Sequence, residues 1–258
     1  MQMLLFLSDA HIGMGPPEDQ EKRKKYLFDC LDYYKPQLDK LFILGDLFDF
    51  WFEWRHVVLK RHFGVLCKLR ELTSAGVELH YLAGNHDFAL SDFLPDEIGV
   101  QVHSGEYHFI HDDKSFHLQH GDGLAPADWG YRILKRIFRN RFNQKLFSLL
   151  HPDFGVDLAH TSSRTSRNYS RRRWDIDGWA YLEAAEKCIA QGNDYVVFAH
   201  NHEPMLQQVQ SGIYVNTGDW MKYFSYALFE DGVMKLKYWN QPYIERSQSR
   251  ETSPLAEK

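Results

Sequence analysis

The strongest constraint on this chain is a repeated switch of hydrophobic period in its first hundred residues. Short apolar runs at 4–7, 41–44 and 77–83 read as buried strands, and stretches of helical periodicity at 18–34 and 57–75 lie between them. Pro36 closes the first helix, and Gly76 stands where a left-handed helix terminus belongs. A βαβαβ rhythm of this kind predicts a parallel sheet with crossover helices, and so an α/β fold. From 100 to 119 the pattern shortens into strands separated by turns near Gly105 and Asp112-Asp113. Helices are expected over 127–150 and 174–190, and further strands at 195–199, 213–215, 226–229 and 233–238. One domain over 1–246, with a helical insertion at about 126–173, accounts for this order. The polar segment 247–258, with Pro254, reads as a disordered tail.

In open α/β sheets ligands gather beyond the carboxyl ends of the strands. Here those ends read Asp9-Ala10-His11, Gly45-Asp46-Leu47-Phe48-Asp49, Gly84-Asn85-His86-Asp87, His120-Gly121-Asp122 and His200-Asn201-His202. One such fragment alone is more often a cap or a hydrogen-bonding residue than a metal ligand. Five in order at one sheet edge are different, because burying them together is costly unless cations neutralise them. Gly45, Gly84 and Gly121 suit tight turns beside inward-facing side chains. The chain has fourteen His against three scattered Cys, which form no C-x-x-C pair. That favours imidazole chemistry and a reducing compartment over a disulfide framework.

The five fragments, D-x-H, G-D-x-x-D, G-N-H-D, H-G-D and H-x-H, resemble the motif set of the calcineurin-like metallophosphoesterases, in family order from Asp9 to His202. The resemblance implies an α/β/β/α sandwich and a centre of two divalent metals. It places Asp9, His11, Asp46 and His202 on one ion and Asp46, Asn85, His120 and His200 on the other, with Asp46 bridging. A shared carboxylate keeps two cations about 3.5–4 Å apart, the spacing that suits in-line phosphoryl displacement. His86 would serve as the catalytic donor to the transition-state oxygens or leaving group, with Asp87 orienting it. For Asp49 and Asp122, support through loop hydrogen bonds is the expected role. Manganese is the metal that the resemblance implies; the donor set itself also admits iron or zinc.

Two features narrow the substrate. The segment 132–173 carries eleven Lys or Arg against two acids, a net +9, within a chain of net −5. Its first part sets Ile133, Leu134, Ile137, Phe138, Phe142, Leu146, Phe147 and Leu150 near one helical face, as in an interfacial helix or a lid over an apolar ligand. The run Phe48-Asp49-Phe50-Trp51-Phe52-Glu53-Trp54 places a dense aromatic loop directly after Asp46. Together they resemble the UDP-2,3-diacylglucosamine pyrophosphohydrolase branch of that family, in lipid A synthesis. By that resemblance the chain splits a UDP-linked diacyl sugar at the α-phosphate, and the substrate contacts are Asn85, His86, Asn168, Arg171 and His200. The sequence departs from the better-known members of the branch by having His86 where they have Arg, which returns it to the pattern of the wider family.

These readings imply a cytoplasmic enzyme, peripheral on the anionic inner face of the bacterial inner membrane. Met1–Leu7 lacks a basic lead and a cleavage pattern, and no apolar stretch is long enough to span a bilayer. Two rivals stand beside this expectation. One is a metallophosphoesterase acting on another phosphomonoester, phosphodiester or nucleic acid. It is disfavoured because the insert lines up aliphatic and Phe residues on a helix instead of interleaving exposed aromatics. The other is a non-enzymatic metal-binding scaffold, which the complete ligand set argues against.

Overall fold

The computed structural model describes residues 2–124, 136–137, 140–159 and 174–239. Asn168, Arg171, most of the 126–173 insertion and the 247–258 tail lie outside the described residues. The strands, in chain order, are β1 (Met3–Leu7), β2 (Leu38–Ile43), β3 (Glu78–Leu82), β4 (Gln101–His103), β5 (Tyr107–His111), β6 (Lys114–Leu118), β7 (Tyr195–Phe198), β8 (Met205–Val209), β9 (Gly212–Asn216), β10 (Ser225–Glu230) and β11 (Val233–Tyr238). The helices are α1 (Pro17–Tyr34), α2 (Phe63–Ser74), α3 (Arg141–Phe147) and α4 (Trp174–Ala190).

The strands form two sheets. The first has the order β11-β10-β1-β2-β3-β4, and the second β5-β6-β7-β9-β8. Strands β1 to β4 pair in parallel, as the βαβαβ rhythm requires, while β10 joins β1 and β11 joins β10 antiparallel. The second sheet repeats the plan: β6, β7 and β9 are parallel, and β5 and β8 flank them antiparallel. Parallel strands pointing the same way bring their carboxyl ends to one edge, which is what a shared site needs.

The period-2 alternation decides which layer each side chain enters. Every residue of β1 is buried. Leu4 and Phe6 pack between the sheets with Phe42, Leu44, Phe116 and Phe229. Leu5 and Leu7 face the other way, among Leu27 and Leu31 of α1 and Leu66 and Leu69 of α2. On the far side, Tyr181, Ala185 and Ile189 of α4 cover Val196, Phe198 and Tyr214. Four layers result, α/β/β/α, as the family resemblance implied.

Three expectations are corrected. The helix expected over 57–75 begins as α2 at Phe63, after a 3₁₀ turn at Lys60–His62, and Val57 instead makes a bridge with Trp54. The helix expected over 127–150 is interrupted at Asn140, whose side chain caps α3 by accepting from the Phe142 and Asn143 amides. Among the described residues α3 ends at Phe147, and a further helical stretch covers 152–159. Strand β8 was missed because Met-Leu-Gln-Gln-Val, largely exposed at a sheet edge, lacks an apolar run.

Phe42 is fully buried between the sheets and stacks on Phe6 at 4.9 Å, His80 at 4.7 Å and Phe109 at 4.8 Å. Phe42→Ala is expected to cost about 3–5 kcal/mol in denaturant unfolding. A loss below about 1 kcal/mol would mean that the two sheets do not depend on this stack.

Candidate metal centre

The seven side chains expected to hold metal meet at one edge of the sandwich, where loops from both sheets converge. The Asp9 amide bonds the Gly45 carbonyl at 3.2 Å, and the His11 amide bonds the Asp46 carbonyl at 3.0 Å. These bonds extend the β1–β2 pairing past the strand ends and carry both motifs side by side. From the second sheet, the Ala199 amide donates to the His120 carbonyl at 3.0 Å, and the His200 amide reaches across to Asp9 Oδ2 at 3.1 Å.

Two of the glycines follow from this crowding. A Cβ on Gly45, whose φ is +85°, would lie 2.7 Å from the Gly84 Cα and from His120 Nδ1. A Cβ on Gly84 would overlap the Asp46 carboxylate. The ligands themselves are bent to fit. Asp9, His11, Asp46, His200 and His202 all hold positive φ, between 43° and 71°. For residues other than glycine this is uncommon and costs energy, so it persists only where surrounding contacts force it.

The geometry separates into two groups that share Asp46. His202 Nε2 lies 3.2 Å from Asp9 Oδ1, and His11 Nε2 lies 3.7 Å from both Asp9 Oδ1 and Asp46 Oδ2. On the other side His120 Nε2 stands 3.5 Å from Asp46 Oδ2, 3.1 Å from Asn85 Oδ1 and 3.1 Å from His200 Nδ1. His120 Nδ1 donates to the Leu44 carbonyl at 2.6 Å, so its Nε2 is the nitrogen turned toward the cluster. Asp9–His11–His202 and Asp46–His120–His200 each bring one donor atom per residue within 4.8 Å of the others.

Divalent cations fit this arrangement. Asp9 Oδ1, toward which His202 and His11 turn their Nε2 atoms, is buried without a partner in hydrogen-bonding geometry, as expected of a carboxylate oxygen placed to meet a cation. Imidazole, carboxylate and amide oxygen without thiolate suit manganese, iron or zinc. The charges pull strongly on one another. Burial would raise the Asp46 pKa, but the imidazoles of His120, His86 and His11 hold it well below the carboxylate range. Burial would lower that of His120, yet Asp46 lifts it to about 10. His200 goes the other way, to about 4, through burial and the neighbouring His120.

The supporting residues differ from the expectation in one respect. Asp87 does not orient His86. Its carboxylate accepts from the Asp46 amide at 3.1 Å, the Gly84 amide at 2.9 Å and the Tyr81 hydroxyl, and so fixes the loop that presents Asp46. His86 is oriented by Asp49: its Nδ1 donates to the Asp49 carbonyl at 2.8 Å and lies 3.6 Å from the Asp49 carboxylate. Asp49 therefore has the supporting role expected of it, and Asp122, buried nearby, adds its field to His120 and His200.

Three contributors were not anticipated. Asp219 stands 3.7 Å from His202 Nδ1, and the Trp220 amide bonds the Asp9 carbonyl at 3.2 Å. They follow β9, so the test of what lies beyond each strand would have found Asn216-Thr217-Gly218-Asp219 as a sixth fragment. Arg23, on α1, is buried and donates to the carbonyls of Ala10, His11 and Met14, pinning the first loop. Nothing in its local sequence marks it out from the other charges of that helix.

The aromatic run divides between two environments. Phe48 and Trp51 join the main core. Phe52 and Trp54 form a separate cluster with Ala89 and Val156, packed against Phe50 and Phe147. Trp54 Nε1 donates to the Leu150 carbonyl at 3.2 Å, and a Cβ on Gly155 would lie 2.9 Å from the Trp54 ring. The described end of the insertion is thus seated on the loop that follows Asp46. Phe142, Leu146 and Leu149 remain exposed, so the single apolar face expected for 127–150 is only partly used for packing.

A family model described as calcineurin-like phosphoesterase matches residues 3–229. A UDP-2,3-diacylglucosamine hydrolase of Porphyromonas gingivalis is 31% identical over 253 residues, 91% of this chain and 96% of that protein. One of Haemophilus influenzae is 27% identical, covering 90% of this chain and 96% of its own length. One of Nitrosococcus oceani is 33% identical over 203 residues, 77% of this chain and 78% of that protein.

Ligand imidazoles must be neutral to bind a cation, and Asp46 holds His120 protonated while Asp9 and Asp219 raise the pKa of His202. Cation uptake at pH 7 is therefore expected to release about one proton or more per chain, and affinity should weaken as pH falls. Calorimetric titration with manganese in two buffers of different ionisation enthalpy measures this. Heats that do not depend on the buffer would contradict the ligand assignment.

Proposed function

The chain belongs to the calcineurin-like phosphoesterase family, and from that premise we propose that it hydrolyses the pyrophosphate of UDP-2,3-diacylglucosamine in lipid A biosynthesis. The observation that carries this reading is the relation to a hydrolase of that substrate over nine tenths of both chains. The complete set of seven gathered donors supports it and disfavours a non-enzymatic scaffold.

The reaction joins a water oxygen to the α-phosphorus and breaks the bond to the bridging oxygen, whose electron pair leaves with 2,3-diacylglucosamine 1-phosphate. UMP is the other product. Two divalent cations, manganese in this reading, would polarise the α-phosphate and activate the water when bound. Asp9, His11 and His202 would hold one and Asn85, His120 and His200 the other, with Asp46 between them. Asp87 holds the Asp46 amide and Gly84 leaves room for its carboxylate, whose Oδ2 lies 3.7 Å from His11 Nε2 and 3.5 Å from His120 Nε2. Because Nδ1 of His86 is committed to the Asp49 carbonyl, the ring meets the substrate through Nε2. There it would donate a hydrogen bond to the charge developing on the phosphate.

The lipid portion of the substrate accounts for the rest of the rim. Phe142 is 74% exposed, Leu149 78% and Phe154 60%, with Lys145 exposed among them. Apolar side chains with interspersed basic ones suit the surface of an anionic membrane. Among the described residues no helix is long and apolar enough to cross a bilayer. We read the chain as docking peripherally on the cytoplasmic face, with Asn168 and Arg171 contacting the substrate.

Incubation with UDP-2,3-diacylglucosamine and manganese should yield UMP and the lipid 1-phosphate by mass spectrometry. His86→Ala should lower kcat by about 10²–10³-fold with metal content unchanged. Intact substrate with the wild-type protein would sink the assignment, and a wild-type rate in the variant would sink the role of His86. Separately, flotation with phosphatidylglycerol vesicles should show binding that weakens with salt and falls in Phe142→Asp/Leu149→Asp. Equal binding by variant and wild type would remove this surface from the interface.

A further inference from the structure

A second cluster of metal-binding side chains lies on the hairpin of β5 and β6, apart from the centre just described. His108 and His117 are direct cross-strand partners in its register. Antiparallel partners on one face hold their Cβ atoms about 4.5–5.5 Å apart, so the two rings are placed together by the backbone itself. They meet edge to face with centroids 4.4 Å apart. Glu106 lies two residues before His108, just ahead of β5. One donor atom each from Glu106, His108 and His117 lies within 4.8 Å of the others.

The two rings have different surroundings. His108 and Glu106 are exposed, whereas His117 is buried, at 3% exposure. Its Nδ1 has no partner in hydrogen-bonding geometry, and its Nε2 is 3.7 Å from the Cys188 thiol at the end of α4. Burial and the His108 ring lower the His117 pKa, against smaller opposing pulls from Glu106 and Gln119. A neutral ring at neutral pH is the ligating form.

We propose that Glu106, His108 and His117 form an additional binding site for a zinc-class cation, independent of the binuclear centre. Two imidazoles and one carboxylate are a common three-donor set for zinc, and the bordering thiol makes the surroundings softer than calcium or magnesium prefers. The open side at His108 leaves room for water as a further ligand. An ion here joins β5 to β6, the strand that runs directly into His120. Its occupancy adds to the stability of the fold by linkage and needs no part in hydrolysis.

The test uses the full chain with its binuclear centre loaded, dialysed against zinc, with total metal counted by plasma mass spectrometry. Wild type should retain one more cation per chain than His108→Ala. Glu106→Gln should weaken that extra binding by about tenfold or more. Zinc should raise the thermal midpoint of wild type and leave that of His108→Ala unchanged, while both hydrolyse substrate at the same rate. Because the readouts are metal content and melting, they stand whether or not the substrate assignment holds. Equal metal content and equal zinc response in wild type and both variants would overturn the site.

Discussion

The Asp46 carboxylate is the constraint on which the rest of the structure depends. It is buried, negatively charged, and set between His11 on one side and His120 on the other. A charge in that position is costly unless countercharges surround it. The surrounding architecture meets that requirement. Gly84 vacates the space beside it, Asp87 locks its amide, and the His86 amide donates to Oδ1 at 2.9 Å. Loops from both sheets must converge within hydrogen-bonding distance to supply this shell, and the positive φ of Asp46 and four neighbouring ligands is the conformational cost of that convergence.

The same logic explains why the sandwich has parallel strands at the centre of each sheet. Parallel β1, β2 and β3 deliver Asp9, Asp46 and Asn85 to one edge, and parallel β6, β7 and β9 deliver His120, His200 and Asp219 to that same edge. The inter-sheet aromatic layer of Phe6, Phe42 and Phe116 keeps the two sheets in register. The site is thus anchored at its base by close-packed rings and at its rim by loop-to-loop hydrogen bonds. Asp87 illustrates the division of work. It was expected to act on His86 but instead supports Asp46, because its carboxylate turns back under the loop, where the amides of Asp46, Phe48 and Gly84 and the Tyr81 hydroxyl donate to it.

The insertion shows what periodicity alone misjudges. A continuous amphipathic stretch at 127–150 suggested one helix with one apolar face. Asn140 offers its side-chain oxygen to two orphan amides and starts a new helix, so the two halves need not share a face. Phe147 then turns onto Phe52 and Trp54, while Phe142 and Leu149 remain at the surface.

The sequence by itself determined the α/β rhythm and the five polar strand ends, and its resemblance to a known motif set implied the four layers and the seven donors. The first two are local: a strand period, a turn glycine, a donor type directly after a strand. Tertiary structure alone decided that Arg23 is buried to hold the first loop, that Asp219 backs His202, and that His86 leans on Asp49 and not on Asp87. It also decided that His108 and His117 face each other. Each of these depends on a contact between residues far apart in the chain or on a hairpin register. Such contacts are set by how whole layers pack, and no local pattern of residues encodes which partner a side chain will find.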